Sequence, residues 1–380
     1  MIRAPNLTSL SITINNPIIN FRSTKDQVEF NKAIEKSSNF AKIQSFMETT
    51  KNLKVLILNE LNYSCIIDFA ALSFPLEKLT ISTYGSKSYN SKFSWDQRIH
   101  FNSSILMFLD QQKQSLKEAL IDSKFLKMSP NLVFKFLLTS KLRKFSINCC
   151  QDKNNSIEFK YHKLNNELKY SGELSIADFE TLILNFPQII NLSLNIQGLL
   201  SINALQMINN SMSNLKILSI NPFFLKISEN LILKNVEKLE IQNLYEKCGT
   251  VDWNDIALTC PNIKELSLYD DYFKIKPGRR ARIIRKSKNL KIVKKFCKRK
   301  FSVSTNFYEF FLRPSMKPLE MTIFANITLE RYNQLIECLL NNPNICVSYK
   351  MIDRSDKSPK SFIKSFKIIK FRKEKLLQLN

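Results

Sequence analysis

Leu215-Lys216-Ile217-Leu218-Ser219-Ile220 is the stretch that decides the reading of this chain, because its spacing recurs. The same apolar-x-x-apolar-x-apolar phrase stands at Leu53-x-x-Leu56-x-Leu58, Leu76-x-x-Leu79-x-Ile81, Leu142-x-x-Phe145-x-Ile147, Ile189-x-x-Leu192-x-Leu194, Val236-x-x-Leu239-x-Ile241 and Ile263-x-x-Leu266-x-Leu268. Degenerate copies start at Leu7, Leu116, Leu290, Leu319 and Ile345. Most starts lie 21 to 29 residues apart, and self-similarity at such a period marks a stacked repeat. The longer gaps leave room for degenerate repeats and for insertions near residues 85–104 and 150–172.

Within a phrase the apolar residues alternate, which suits a strand with one buried face. Between phrases the spacing changes to that of a helix. Leu132, Phe134, Phe136, Leu137 and Leu138 follow a Ser129-Pro130 start signal, with proline at the first helical position. Tyr332, Leu335, Ile336, Leu339 and Leu340 keep helical spacing before Ile345. Proline and asparagine return the chain to the strand at Pro5-Asn6-Leu7, Pro261-Asn262-Ile263 and Pro343-Asn344-Ile345. Proline cannot continue a helix and favours an extended residue before it. Each unit is therefore expected to be one strand followed by one helix.

This phrase resembles the leucine-rich repeat, L-x-x-L-x-L-x-x-N/C, in the longer helix-bearing form of ribonuclease-inhibitor and F-box proteins. The resemblance covers most of residues 5–350. It implies an α/β solenoid, a horseshoe with a parallel sheet on the concave face and helices on the convex face. The expected organisation is an irregular repeat domain over 1–350 and a basic cap or tail over 351–380. Cys150 falls at the N/C position of its repeat. F-box relatives hold substrates for ubiquitylation, which makes a ligase substrate-recognition subunit one alternative reading. An F-box would precede the repeats, yet here the register opens at Leu7. Helical spacing over 24–49 falls between two phrases instead.

The chain has 380 residues, 44% of them hydrophobic, enough for a continuous core. No apolar run reaches the ~18 residues that cross a bilayer. Its N-terminus, Met1-Ile2-Arg3-Ala4-Pro5, lacks the apolar stretch of a signal peptide. The 8 cysteines form no C-x-x-C pair and are expected to be reduced core residues. The expected location is intracellular, cytoplasmic or nuclear. Net charge is +24 and uneven. Residues 261–380 hold 28 Lys+Arg and 10 Asp+Glu, a net of +18, which leaves +6 for residues 1–260.

Little points to catalysis, and no cofactor or metal is expected. His100 and His162 are far apart, and both fall in the expected insertions, where solvated loop positions suit them. The 5 glycines build no phosphate-binding loop, and there is no G-x-S-x-G elbow.

The more informative surface is the outward face of the strands. Side chains alternate, so the third, fifth and seventh positions of each phrase share that face. The fifth positions include Ser146, Ser193, Ser219, Glu240 and Ser267; the seventh include Asn148, Asn195, Asn221, Gln242 and Tyr269. Stacked ~4.8 Å apart, they predict a hydroxyl ladder beside an amide ladder. Such a shallow, mainly uncharged groove suits a peptide or protein partner.

A second feature is the run from Lys274 to Lys300, with 14 Lys/Arg in 27 residues and no acid. Arg279, Arg280, Arg282, Arg285 and Lys286 surround Ile283 and Ile284 at helical spacing; Lys294, Lys295, Lys298, Arg299 and Lys300 follow. The run suits an import signal, or a patch for nucleic acid or an acidic protein. In the tail, Phe362, Ile363, Phe366, Ile368, Ile369 and Phe371 interleave with cations. That mixture suits an element that covers the last repeat. These readings converge on a non-enzymatic repeat scaffold that binds a protein. A nuclear nucleic-acid-associated protein using its basic C-terminal third is the further alternative.

Overall fold

Alternating apolar positions need a neighbour on each side to hide them, and the phrases supply it to one another. A computed structural model describes residues 8–13, 52–61, 69, 72, 74–83, 95–123, 126, 128–150, 156–196, 203–220, 232–241, 259–270, 289–297, 319–328, 333, 337, 345–352 and 362–370. The chain separates into two compact units, Met1–Asn185 and Phe186–Asn380.

Unit 1 holds β1 (Ser9–Thr13), β2 (Val55–Leu61), β3 (Lys78–Thr83), α1 (Trp95–Gln112), β4 (Glu118–Ser123), α2 (Pro130–Thr139), β5 (Lys144–Cys150), β6 (Ser156–His162), β7 (Glu167–Gly172) and α3 (Ile176–Asn185). Strands β1 to β5 are parallel neighbours in chain order. Equal phrase positions face each other: Leu10, Leu56, Leu79, Ala119 and Phe145 form one row, and Ile12, Leu58, Ile81, Ile121 and Ile147 the next. Leu56, Leu58, Leu79, Ile81, Ile121, Phe145 and Ile147 are buried. Full burial of one such side chain contributes roughly 1.5–3 kcal/mol.

The backbone fixes this register at the strand entrances. The second-position carbonyl of each phrase accepts two N–H groups from the next. Thr8 accepts from Lys54 and Val55, Lys54 from Glu77 and Lys78, and Glu77 from Lys117 and Glu118. Lys117 accepts from Arg143 and Lys144.

Helix α2 forms where Ser129-Pro130 signals it. Ser129 Oγ accepts from Leu132 N–H at the start of α2, which satisfies one orphan donor of the first turn. Ser175 and Asp178 do the same for α3, with the Asp178 N–H donating to Ser175 Oγ and that hydroxyl donating to the Asp178 carboxylate.

Two expectations in unit 1 are corrected. Residues 95–104, read as part of an insertion, begin α1, the helix between β3 and β4, so His100 stands on a helix. The expected insertion over 150–172 holds the hairpin β6–β7 over 156–172, whose β6 pairs antiparallel with β5. His162 ends β6 and is not a loop residue. The hairpin joins because it is amphipathic: Ile157, Phe159, Tyr161, Leu168 and Tyr170 are buried. Phe159 and Tyr170 lie 5.7 and 6.4 Å, centroid to centroid, from Phe134 of α2. In β5 the alternation runs on through Cys149, which is buried. The Cys150 side chain lies outside the described residues.

Unit 2 holds β8 (Asn191–Ile196), α4 (Asn203–Ser211), β9 (Ile217–Ile220), β10 (Lys238–Ile241), β11 (Glu265–Asp270), β12 (Ile292–Cys297), β13 (Leu319–Thr328), β14 (Ile345–Ile352) and β15 (Phe362–Lys370). Strands β8 to β13 are parallel neighbours in chain order. Leu192, Leu218, Leu239 and Leu266 form one buried row. Leu194, Ile220 and Ile241, also buried, lead the next.

Asparagine ties successive turns together. The Asn235 side-chain amide donates to Ser213 O, that of Asn262 to Lys234 O, and that of Asn289 to Pro261 O. Each thus reaches the residue just before the preceding repeat's own asparagine. This gives a physical reason for the Asn that stands before Val236, Ile263 and Leu290.

The far end departs from expectation twice. Ile292 faces Glu320, so Glu320 takes the third phrase position and Leu319 the second. The phrase read from Leu319 is therefore displaced by one residue, a slip that exchanges the two strand faces. The last strands are ordered β13-β15-β14, and β15 is antiparallel to both neighbours. The tail expected to cover the last repeat is thus inserted before it. Overall the chain is α/β, with mostly parallel open sheet in each unit, interrupted by antiparallel β6–β7 and β15.

Candidate binding surface on the outward strand face

The inward rows fill the core, so the third, fifth and seventh rows carry whatever the sheet presents outward. In unit 2 the third row reads Asn191, Ile217, Lys238, Glu265 and Ile292; the fifth reads Ser193, Ser219, Glu240, Ser267 and Lys294. Ser193 and Asn195 are half-buried, as an open groove requires. Ser219 and Ser267 are not exposed as expected: they retain 2% and 1% of their accessible surface.

The reason lies in their neighbours. Ser219 sits between Ser193 and Glu240, and Ser267 between Glu240 and Lys294. Long chains ~4.8 Å away roof a short hydroxyl: Ser267 has one on each side, Glu240 and Lys294, and Ser219 has Glu240 on one side. The roof is an ionic chain: Lys238 Nζ lies 2.8 Å from Glu240 Oε1 and 3.3 Å from Glu265 Oε1. Lys294 Nζ completes it 2.8 Å from the same Glu265 oxygen.

Burial works against charge on Glu265, yet Lys294 and Lys238 overcome it and hold its carboxyl below the usual carboxylate value. Burial likewise opposes the Lys238 ammonium, and Glu240 and Glu265 overcome it and raise that group. The expected uncharged groove is therefore ionic but internally neutralised across β10–β12. Lys238 and Glu265 stand at the third positions of their phrases, outside the fifth- and seventh-position ladders. That third position marks them in the sequence.

In unit 1 Ser146 is half-buried on the fifth row, beside Leu120 and Thr80. Leu120, at the fifth position of the Leu116 phrase, is 47% exposed. Asn148 is exposed, and its amide donates to Asp122 Oδ1 at 3.1 Å. The seventh row thus carries an amide–carboxylate link.

Several expected site residues cannot be placed further. Asn221, Gln242, Arg279, Arg280, Arg282, Arg285, Lys286, Lys298, Arg299 and Lys300 lie outside the described residues. Tyr269 is in β11 and Lys295 in β12, with side chains outside the described set. Lys294, assigned to the basic patch, is instead part of the ionic chain on the sheet face.

Reactive groups are scarce among the described residues. Cys149 and Cys260 are buried thiols outside any disulfide, and burial pushes the Cys260 thiol up to about 12, which keeps it protonated. His162 Nδ1 accepts from Asn165 N–H across the β6–β7 turn. Among the described residues no group of three His, Cys, Asp or Glu is placed to hold a metal. No helix among them is long and apolar enough to cross a membrane. No protein-family model matches this chain, and no curated protein matches it.

Proposed function

We propose that this chain is a non-enzymatic leucine-rich repeat scaffold of the helix-bearing type, which binds a protein partner on the outward face of its strands. The observation that carries the reading is position-for-position register: β8 to β12 bring like phrase positions into continuous rows. The rows give a partner's backbone close approach at Ser193 and Asn195. Beside them lies a charge chain already neutralised by its own partners. The half-buried Ile217 and Ile292 add apolar area to the same face. Such a face suits recognition by shape and hydrogen bonding, each bond contributing about 0.5–1.5 kcal/mol net.

The test is steric. Ser193→Arg with Asn195→Arg sets two long cationic chains on half-buried outward positions, and circular dichroism selects the folded variant. It should abolish capture of the main partner from native cells, read by mass spectrometry. Unchanged capture by the folded variant removes the reading.

The net charge of +18 in residues 261–380 favours a second reading, contact with nucleic acid or an acidic protein. Reversing Arg279, Arg280, Arg282 and Arg285 to Glu should flatten the salt dependence of heparin binding, because each neutralised phosphate or sulfate releases counterions. Elution of the unaltered protein at low salt would remove this second reading.

A further inference from the structure

Unit 1 pairs the lysines of its parallel strands. Lys54 and Lys117 both lie on Glu77, and Lys78 lies on Glu118. The hairpin does not follow that habit. Lys160 of β6 and Lys169 of β7 stand directly opposite each other, on the face away from buried Phe159, Tyr161, Leu168 and Tyr170. Like charges directly opposite in an antiparallel pair are destabilising. Glu158 pairs with Lys160, and Lys169 has no ion-pair partner among the described residues. Beside them Lys141, Arg143 and Lys144 lead into β5, all exposed and all without an ion-pair partner among the described residues. The Lys163 N–H donates to Arg143 O at 2.8 Å, which sets the turn lysine next to that group. Six cations thus stand on this face and its rim with two acids, Glu158 and Glu167, while Glu118 and Asp122 flank it on β4.

We infer that the outward face of β5–β7, with its adjoining rim, docks an acidic segment of a partner protein. A bound carboxylate between Lys160 and Lys169 turns their repulsion into two attractions. The ligand class follows from what else is there. Phe145, Phe159, Tyr161 and Tyr170 point into the core, which leaves the half-buried His162 as the one ring on this face among the described residues, less than the row of rings on which successive bases stack. Ser146 and Asn148 lie alongside as hydrogen-bonding groups. The inference rests on the reading above in one respect, that partners dock on the outward strand face. It concerns a different unit and is tested with a defined ligand, so its failure leaves capture through β8–β12 standing.

The experiment is fluorescence anisotropy on the full chain with a labelled peptide of alternating Glu and Ser, and with an oligouridine of equal charge. Replacing Lys160, Lys163 and Lys169 by Gln should weaken the peptide by about tenfold, which is ~1.4 kcal/mol. Replacing the exposed Lys135, Lys216 and Lys234 by Gln removes the same charge elsewhere and should leave peptide affinity nearly unchanged. Equal losses in both variants, or none in the first, overturn the proposal. So does an oligouridine that binds more tightly than the peptide and loses more in the hairpin variant, which would make the ligand a nucleic acid. Lys169→Gln alone should hold or raise the melting temperature. A fall would make the lysine part of the hairpin's structure and not a docking group.

Discussion

At the scale of single residues, polar groups placed inside do as much to fix this structure as the leucines. Gln112 closes α1 and is buried. Its Oε1 accepts from Leu76 N–H at 2.8 Å, and its Nε2 donates to Phe74 O at 2.9 Å. It therefore satisfies the backbone just where the phrase of β3 begins. Gln112→Leu keeps bulk but strands both backbone groups, and should cost about 1–3 kcal/mol or more in urea unfolding. An unchanged midpoint would show that water replaces the amide. Glu265 adds a pH dependence. Its carboxyl titrates below the unfolded value, so its contribution is present above the ordinary carboxylate range and is lost as pH falls through the lowered value. The stability gap between the parent and Glu265→Gln should shrink on acidification. Lys238 is raised, so its contribution is full below the ordinary lysine value and is lost as pH rises through the raised one. A gap that stays constant from neutral to acid pH would deny the ionic chain any role.

At the scale of elements, the two antiparallel additions show how sheet strands are chosen. Both β6–β7 and β15 come from stretches outside the repeat phrase; β6–β7 carries apolar residues at alternate positions, whereas β15 has the adjacent pairs Phe362-Ile363 and Ile368-Ile369. β15 is the more consequential, since it holds β14 to β13. Deleting residues 362–380 should leave the 345–352 strand without its described neighbour and expose one edge of β13. Hydrogen exchange should then accelerate over 319–328 and 345–352 and stay unchanged over 191–220. Protection retained over 345–352 would mean that β14 pairs directly with β13 once the tail is gone.

At the scale of the whole molecule, the chain has two compact units, and unit 1 has a core of its own. Phe134, Phe145, Phe159 and Tyr170 form a chain of ring contacts within it. Residues 1–185 alone should therefore fold and melt cooperatively, as read by circular dichroism. A non-cooperative melt would mean that this core depends on residues beyond 185.

The repeat was legible in the sequence because burial alternates strictly along a strand, so Leu218, Ile220, Leu239 and Ile241 had to face one way wherever their neighbours stood. The strands and their mostly parallel order followed from that spacing. The sequence left open which outward residues remain open to solvent. Exposure there depends on the lateral neighbour, 20 or more residues away in the chain, and Ser219 and Ser267 are buried because long ionic side chains stand beside them. The places of β6–β7 and β15 were hidden for the same reason. A strand's partner is set by which sheet edge has apolar rows to cover, and that edge exists only once the chain has folded.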